Sequence, residues 1–229
     1  MASAHMRGRD KAMSEILSVI LVTLIGISLV GTAYMYAIPM ITKRQDGSTT
    51  DRMYNYFDRG ISSSIARKLE SVVKNGGQDA FIYDVSGLWT LHEYTEATSA
   101  NDSLEFEAFS RVSTIAVSTP SNGIDWVSLT DGGSCPPGRG IVGLDPAYVV
   151  CAKSTELSDG FRLRYRIWFR ELDDASGTRG YKINLVRDPS GDTAGTSGSV
   201  RMENSRVYTC SPPQCSKTLI VTEVKILLV

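Results

Sequence analysis

The stretch Ile16 to Thr42 contains no charged residue. A helix of that length spans about 40 Å at 1.5 Å per residue, against a bilayer core of about 30 Å. The run is apolar all round, with no single amphipathic stripe, so the helix must be buried in lipid or in protein. Its small residues are Gly26, Ser28, Gly31, Ala33 and Ala37. Such residues let helix backbones approach closely, and close packing is what drives helix association where the surroundings are already apolar. An ordinary membrane anchor that tolerates glycine is the alternative. Pro39 is expected to kink or loosen the helix near its end.

The flanks set its orientation. Arg7, Arg9 and Lys11 precede the run, and Lys43 and Arg44 follow it. The slight positive excess on the N-terminal side favours that terminus inside and the remainder outside. A secretory signal has a shorter apolar core and a small-residue cleavage site after it. Here Tyr34, Met35, Tyr36, Pro39 and Met40 occupy that position, so the helix is expected to be retained.

Beyond the helix the chain is polar and turn-rich. Residues 43–60 read as a linker. Ile61 to Lys74 reads as a second helix with Ile61, Ile65, Leu69, Val72 and Val73 on one face, stopped by Asn75-Gly76-Gly77. From Ala80 onward short β-type segments alternate with turns, at 80–85, 88–95, 103–109, 111–118, 124–129, 147–152, 161–170, 180–187, 199–209 and 217–228. The expected class is α+β: a long N-terminal hydrophobic α-helix followed by an antiparallel β-sandwich-like globular domain over 61–229. The last segment, Thr218 to Val229, is apolar on both faces and reads as a central or covered strand.

Four cysteines, Cys135, Cys151, Cys210 and Cys215, all lie in the polar part. An even count beyond a membrane segment suggests an oxidising compartment and two disulfides, with three possible connectivities. Local pairs are favoured, because Ser211-Pro-Pro-Gln214 could turn Cys210 back onto Cys215, leaving Cys135 with Cys151. A zinc site and free buried thiols are the alternatives. Asn101-Asp102-Ser103 is an N-glycosylation acceptor motif, with Asn101 as its candidate residue.

The segment Phe161–Arg170 alternates strictly. Phe161, Leu163, Tyr165, Ile167 and Phe169 face one way; Arg162, Arg164, Arg166, Trp168 and Arg170 face the other. The second set could contact phosphate, sugar, nucleic acid or another subunit. The competing reading is a solvated face paired with acids, for which Leu104-Glu105-Phe106-Glu107 offers a matching strand. Gly191 to Gly198 reads as a flexible loop, since no Gly-Lys-Ser/Thr ending follows. Beyond the leader His92 stands alone, in a strand, and no nucleophile elbow or metalloprotease signature occurs. The net charge of −1 gives no hint of a nucleic-acid partner. We expect no enzyme activity, no cofactor, no metal and no specific nucleic acid.

Lys11-Ala12-Met13-Ser14-Glu15-Ile16 resembles the processing site of archaeal type IV prepilins, the class III signal peptide. The resemblance covers residues 7–42. In that family a short basic leader is cut before the apolar segment, which stays with the mature protein. It implies a leader over 1–12, a cut between Ala12 and Met13, and a mature helix over 13–42. Ser14 matches the small hydroxyl residue common at the second mature position, and Glu15 is an acidic partner for the new amino group. Ser14-Glu15-Ile16-Leu17-Ser18 does not match the stretch usual in archaellins, which favours an adhesion-type pilin. The implied function is a structural subunit of an extracellular filament, its helices forming the core and its β domains the sheath. The implied partners are copies of itself, a prepilin peptidase, and an assembly ATPase with its membrane platform, with the precursor held in the cytoplasmic membrane. The alternative is a single-pass membrane-anchored extracellular binding domain, an archaellum-associated component or a minor pilin.

Overall fold

The structure is a computed structural model that describes residues 6–93, 102–115, 117–118, 125–130, 134–196, 198–213 and 215–229, with residues 6–14, 117 and 118 described by their backbone alone. Two compact units divide at Gln45/Asp46, a boundary that falls inside the first helix.

Helix α1 runs from Met6 to Phe57 and contains Pro39. The segment expected as a linker is therefore helical as far as Phe57. Gly47-Ser48-Thr49-Thr50 is weak helix sequence, but Thr50, Met53 and Phe57, spaced three and four apart, are all buried in the second unit. Tertiary burial outweighs propensity here. The Tyr56 hydroxyl donates to the Asp84 carboxylate and accepts from the Asp84 and Val85 amides at 3.0 and 3.2 Å. Arg52 Nη1 reaches the same carboxylate at 2.6 Å.

Helix α2, Ile65–Asn75, starts at Ser64, whose hydroxyl accepts from the Arg67 amide at 3.3 Å. Ile61 lies ahead of it, and Ile65, Ala66, Leu69 and Val72 are its buried face. It ends at Gly76, where φ of 73° is open to glycine at little cost.

Thirteen strands follow among the described residues: β1 Gln78–Ile82, β2 Leu88–His92, β3 Ser103–Ser110, β4 Val117–Ser118, β5 Val127–Ser128, β6 Gly140–Ile141, β7 Tyr148–Leu157, β8 Gly160–Phe169, β9 Leu172–Asp173, β10 Arg179–Arg187, β11 Ala194–Gly195, β12 Ser199–Cys210 and β13 Thr218–Leu228. A six-stranded sheet has the order β1-β12-β13-β10-β9-β6, and a seven-stranded one β11-β2-β3-β8-β7-β4, with β5 also on β7. The expected antiparallel pattern holds for most pairs. The exception of consequence is β10 with β13, parallel over nine register pairs from Arg179↔Thr218 to Arg187↔Ile226. The chain leaves β10, adds β11 to the other sheet, and returns through the β12–β13 hairpin, which brings β13 beside β10 in the same direction. β13 is thus central. Leu219 and Val221 are buried from one side of it, and Val224, Ile226 and Leu228 from the other.

One hydrophobic cluster draws on both sheets, on α2, and on Met53 and Phe57 of α1. Its centre is aromatic: the Phe57 ring stacks on Tyr165 at 5.2 Å and on Trp89 at 5.7 Å, and Trp89 meets Phe106 at 4.8 Å.

Candidate functional site

Two features stand apart from the shared core. The first is the apolar part of α1. By length and composition it can cross a membrane. Its large side chains from Ile16 to Ile41 are exposed, ranging from 47% at Ile38 to 80% at Met35. A globular domain does not leave such a surface without a lipid or protein neighbour. The hydroxyls of Thr23, Thr32 and Thr42 donate to the carbonyls of Val19, Ser28 and Ile38 at 2.7, 2.7 and 2.5 Å. Those donors are therefore satisfied within the helix, as an apolar environment requires.

The five small residues do not form one stripe. At about 100° per residue, Gly26, Ala33 and Ala37 fall within an arc about 40° wide, while Gly31 and Ser28 lie well round the helix. A Cβ added at Gly26 or Gly31 would meet nothing within 4 Å. Among the described residues, no contact calls for glycine at either place. Lys11, Ala12, Met13 and Ser14 lie inside α1, which starts at Met6. Asn101 lies outside the described residues.

The second feature is the outward face of the seven-stranded sheet. β3 lies antiparallel to β8 with Glu105 opposite Arg166 and Glu107 opposite Arg164. Arg166 Nε donates to Glu105 Oε2 at 2.6 Å, and its Nη2 binds the same oxygen. Arg164 Nη1 lies 4.0 Å from Glu105 Oε1, Arg162 Nε 3.4 Å from Glu107 Oε1, and His92 Nε2 3.4 Å from Glu105 Oε2. On β7, Lys153 pairs with Asp125. Burial pushes the Glu105 carboxyl up, but its contacts with His92, Arg166 and Arg164 outweigh this and hold it below the ordinary glutamate value. The arginines are thus paired with acids across strands.

Trp168 is buried rather than presented. Trp126 crosses it edge-on at 5.0 Å, and both pack with Val149 and the Cys135–Cys151 bridge in a small second cluster. The Arg166 guanidinium carbon sits 4.6 Å from the Trp168 ring centroid and 5.0 Å from that of Trp126. Arg170 departs from the expected alternation. β8 ends at Phe169, and the buried Arg170 donates from Nε to the Pro146 carbonyl at 2.8 Å, with Nη2 3.3 Å from Asp145. Its backbone amide bonds Ala147, so the chain has already left the β8 ladder.

All four cysteines are bridged, Cys135 to Cys151 and Cys210 to Cys215. This removes the zinc and free-thiol alternatives, because each sulfur is bonded to another sulfur. The second bridge closes the turn between β12 and β13. The pairing points to an oxidising compartment. Among the described residues, no group of three or more His, Cys, Asp or Glu could hold a metal ion.

Two residues make contacts that the sequence pattern does not announce: Trp126, in the expected strand 124–129, and Asp84, which ties the end of α1 to the β unit. A Trp in a short strand near two cysteines was the available signal for the first. Nothing local marks Asp84, whose partners lie 28 and 32 residues away. No protein-family model, curated protein or solved structure matches this chain.

Proposed function

We propose that this protein is the structural subunit of an extracellular filament of the type IV pilus kind, held first in a membrane and then packed helix against helix. The observation that carries this reading is the uncharged, exposed surface of α1 from Ile16 to Ile41. Three further features support it. Lys11-Ala12-Met13-Ser14 has the residues of a prepilin processing site at the required distance before the apolar run. Gly26 and Gly31 have open space around them. The β unit carries two bridges suited to an oxidising exterior.

Moving α1 from lipid into a bundle gains little hydrophobic energy, since both surroundings are apolar. Specificity then rests on close approach at the Gly26–Ala33–Ala37 arc. Extraction must be driven from outside the helix, by an assembly ATPase acting through a membrane platform. The ion-paired sheet face supports a sheath role for the β unit in this reading.

Two measurements test this. N-terminal sequencing of the protein from its own cells should begin at Met13. Electron microscopy of sheared surface material should show filaments containing peptides from residues 80–229. An intact leader on a protein that stays with the membrane would overturn the proposal and leave an anchored extracellular domain.

A further inference from the structure

Asp102 stands immediately before β3 of the seven-stranded sheet, and Lys182 lies on β10 of the six-stranded sheet. The Asp102 side chain is 0% exposed and that of Lys182 is 9% exposed. Topology explains the meeting. One edge of β10 is covered along its length by β13, but on the other β9 pairs only with Gly180 and Tyr181. Beyond that point the β10 amides need other acceptors. Asp102 Oδ1 accepts from the Leu185 amide at 2.7 Å, and Glu93 Oε1 accepts from the Arg187 amide at 3.0 Å. The Asp102 backbone carbonyl accepts from the Phe169 amide at 3.0 Å. The carboxyl is thereby fixed at the join of the two sheets, with Lys182 Nζ 3.8 Å from Oδ2.

A lysine and an aspartate this deeply buried are costly as a pair of full charges. Burial pushes the Asp102 carboxyl up to about 7, against the opposing Leu185 hydrogen bond and Lys182 charge. Burial likewise pulls the Lys182 ammonium down, against the charges of Asp102 and Glu171. Moving one proton from Nζ to Oδ2 removes both charges. It leaves an amine beside a fully buried carboxylic acid that the Leu185 amide holds in place, and these are the reactants of an amide.

We propose that Lys182 Nζ and Asp102 Cγ are joined by an intramolecular isopeptide bond that ties β10 to the start of β3. The neutral Nζ lone pair attacks Cγ. The Leu185 amide, already donating to Oδ1, stabilises the negative charge that develops on that oxygen. The Cγ–Oδ2 bond then breaks. Oδ2 leaves as water, carrying the proton it had taken from the ammonium and one more from the attacking nitrogen. The products are one secondary amide and one water. No electrons are gained or lost, and no co-reactant is needed. The dry surroundings also disfavour the reverse hydrolysis. This inference is independent of the filament reading, since it concerns only the β unit.

Mass spectrometry of the full chain decides it. After reduction of both disulfides, the denatured wild-type protein should be lighter than its sequence by one water. Tryptic digestion should leave peptide 75–111 joined to peptide 180–187, with no cleavage after Lys182. The substitutions Lys182→Met and Asp102→Ala should each restore the full sequence mass, a readout that does not require the variants to be stable. A wild-type chain of full sequence mass, with peptide 75–111 free and cleavage after Lys182, overturns the proposal. So does a loss of water that persists in both variants.

Discussion

At the scale of single residues, Glu105 shows most clearly what side chains do here. One carboxylate faces Arg166, Arg164 and His92 on the outer layer of a sheet, with its side chain only 9% exposed. Replacing it with glutamine leaves the Arg166 and Arg164 guanidinium groups without their anion. Glu105→Gln should cost about 2–3 kcal/mol in urea unfolding at neutral pH. The pH dependence has a definite sign. Glu105 is held below its ordinary value in the folded state. Its contribution is therefore fully present above the unfolded glutamate value, about 4.3, and is lost as pH falls through the lower folded value. The stability gap between wild type and Glu105→Gln should accordingly close in acid; a gap that stays constant from neutral pH to about pH 2 would show that the charge is irrelevant. The strand pairing behind this was readable in the sequence, from alternating arginines in one segment and alternating glutamates in another. The burial of Trp168 was not, because the residue covering it, Trp126, is distant in sequence and its contact depends on the β5–β7 pairing.

At the scale of elements, the last turns of α1 belong to the β unit. Thr50, Met53 and Phe57 are buried there, and Arg52 and Tyr56 bind Asp84. A fragment of residues 46–229 should unfold cooperatively in urea, whereas one of residues 61–229 should be less stable by several kcal/mol, since it loses Phe57 and Met53 at about 2–5 kcal/mol each. Equal unfolding midpoints would show that the docked turns are dispensable. The bridges differ in the loops they close. The Cys135–Cys151 separation is 16 residues and that of Cys210–Cys215 is 5. On chain-entropy grounds removal should cost about 3 and about 2 kcal/mol respectively. Thermal melts of Cys135→Ala/Cys151→Ala and Cys210→Ala/Cys215→Ala double variants would rank them. The α2 boundaries were close to legible, because Ser64, the apolar spacing and Asn75-Gly76-Gly77 are local signals. The extension of α1 through 43–57 was not, since its own residues favour a turn and only its contacts make it helical.

At the scale of the whole molecule, the apolar helix dominates behaviour. Residues 46–229 should stay in solution without detergent, and the full chain should require it; a full chain that is monodisperse in plain buffer would argue against a lipid-facing or bundled helix. Bulk at the small-residue arc should separate insertion from assembly. Gly26→Leu and Ala33→Leu should leave membrane insertion and the β unit intact and abolish surface filaments, seen by electron microscopy of sheared cells. Filaments of normal yield from both variants would remove the arc from the proposal. By itself the sequence determined the long uncharged helix, the second short helix, most strand positions, the central place of the last strand and the favoured local cysteine pairs. These follow from composition, periodicity and spacing, which act over a few residues. Tertiary structure alone decided that β10 and β13 run parallel, that α1 reaches Phe57, that Arg170 turns inward and that Asp102 meets Lys182. Each of these depends on groups brought together from far apart in the chain, where burial and unfilled backbone hydrogen bonds outweigh local preference.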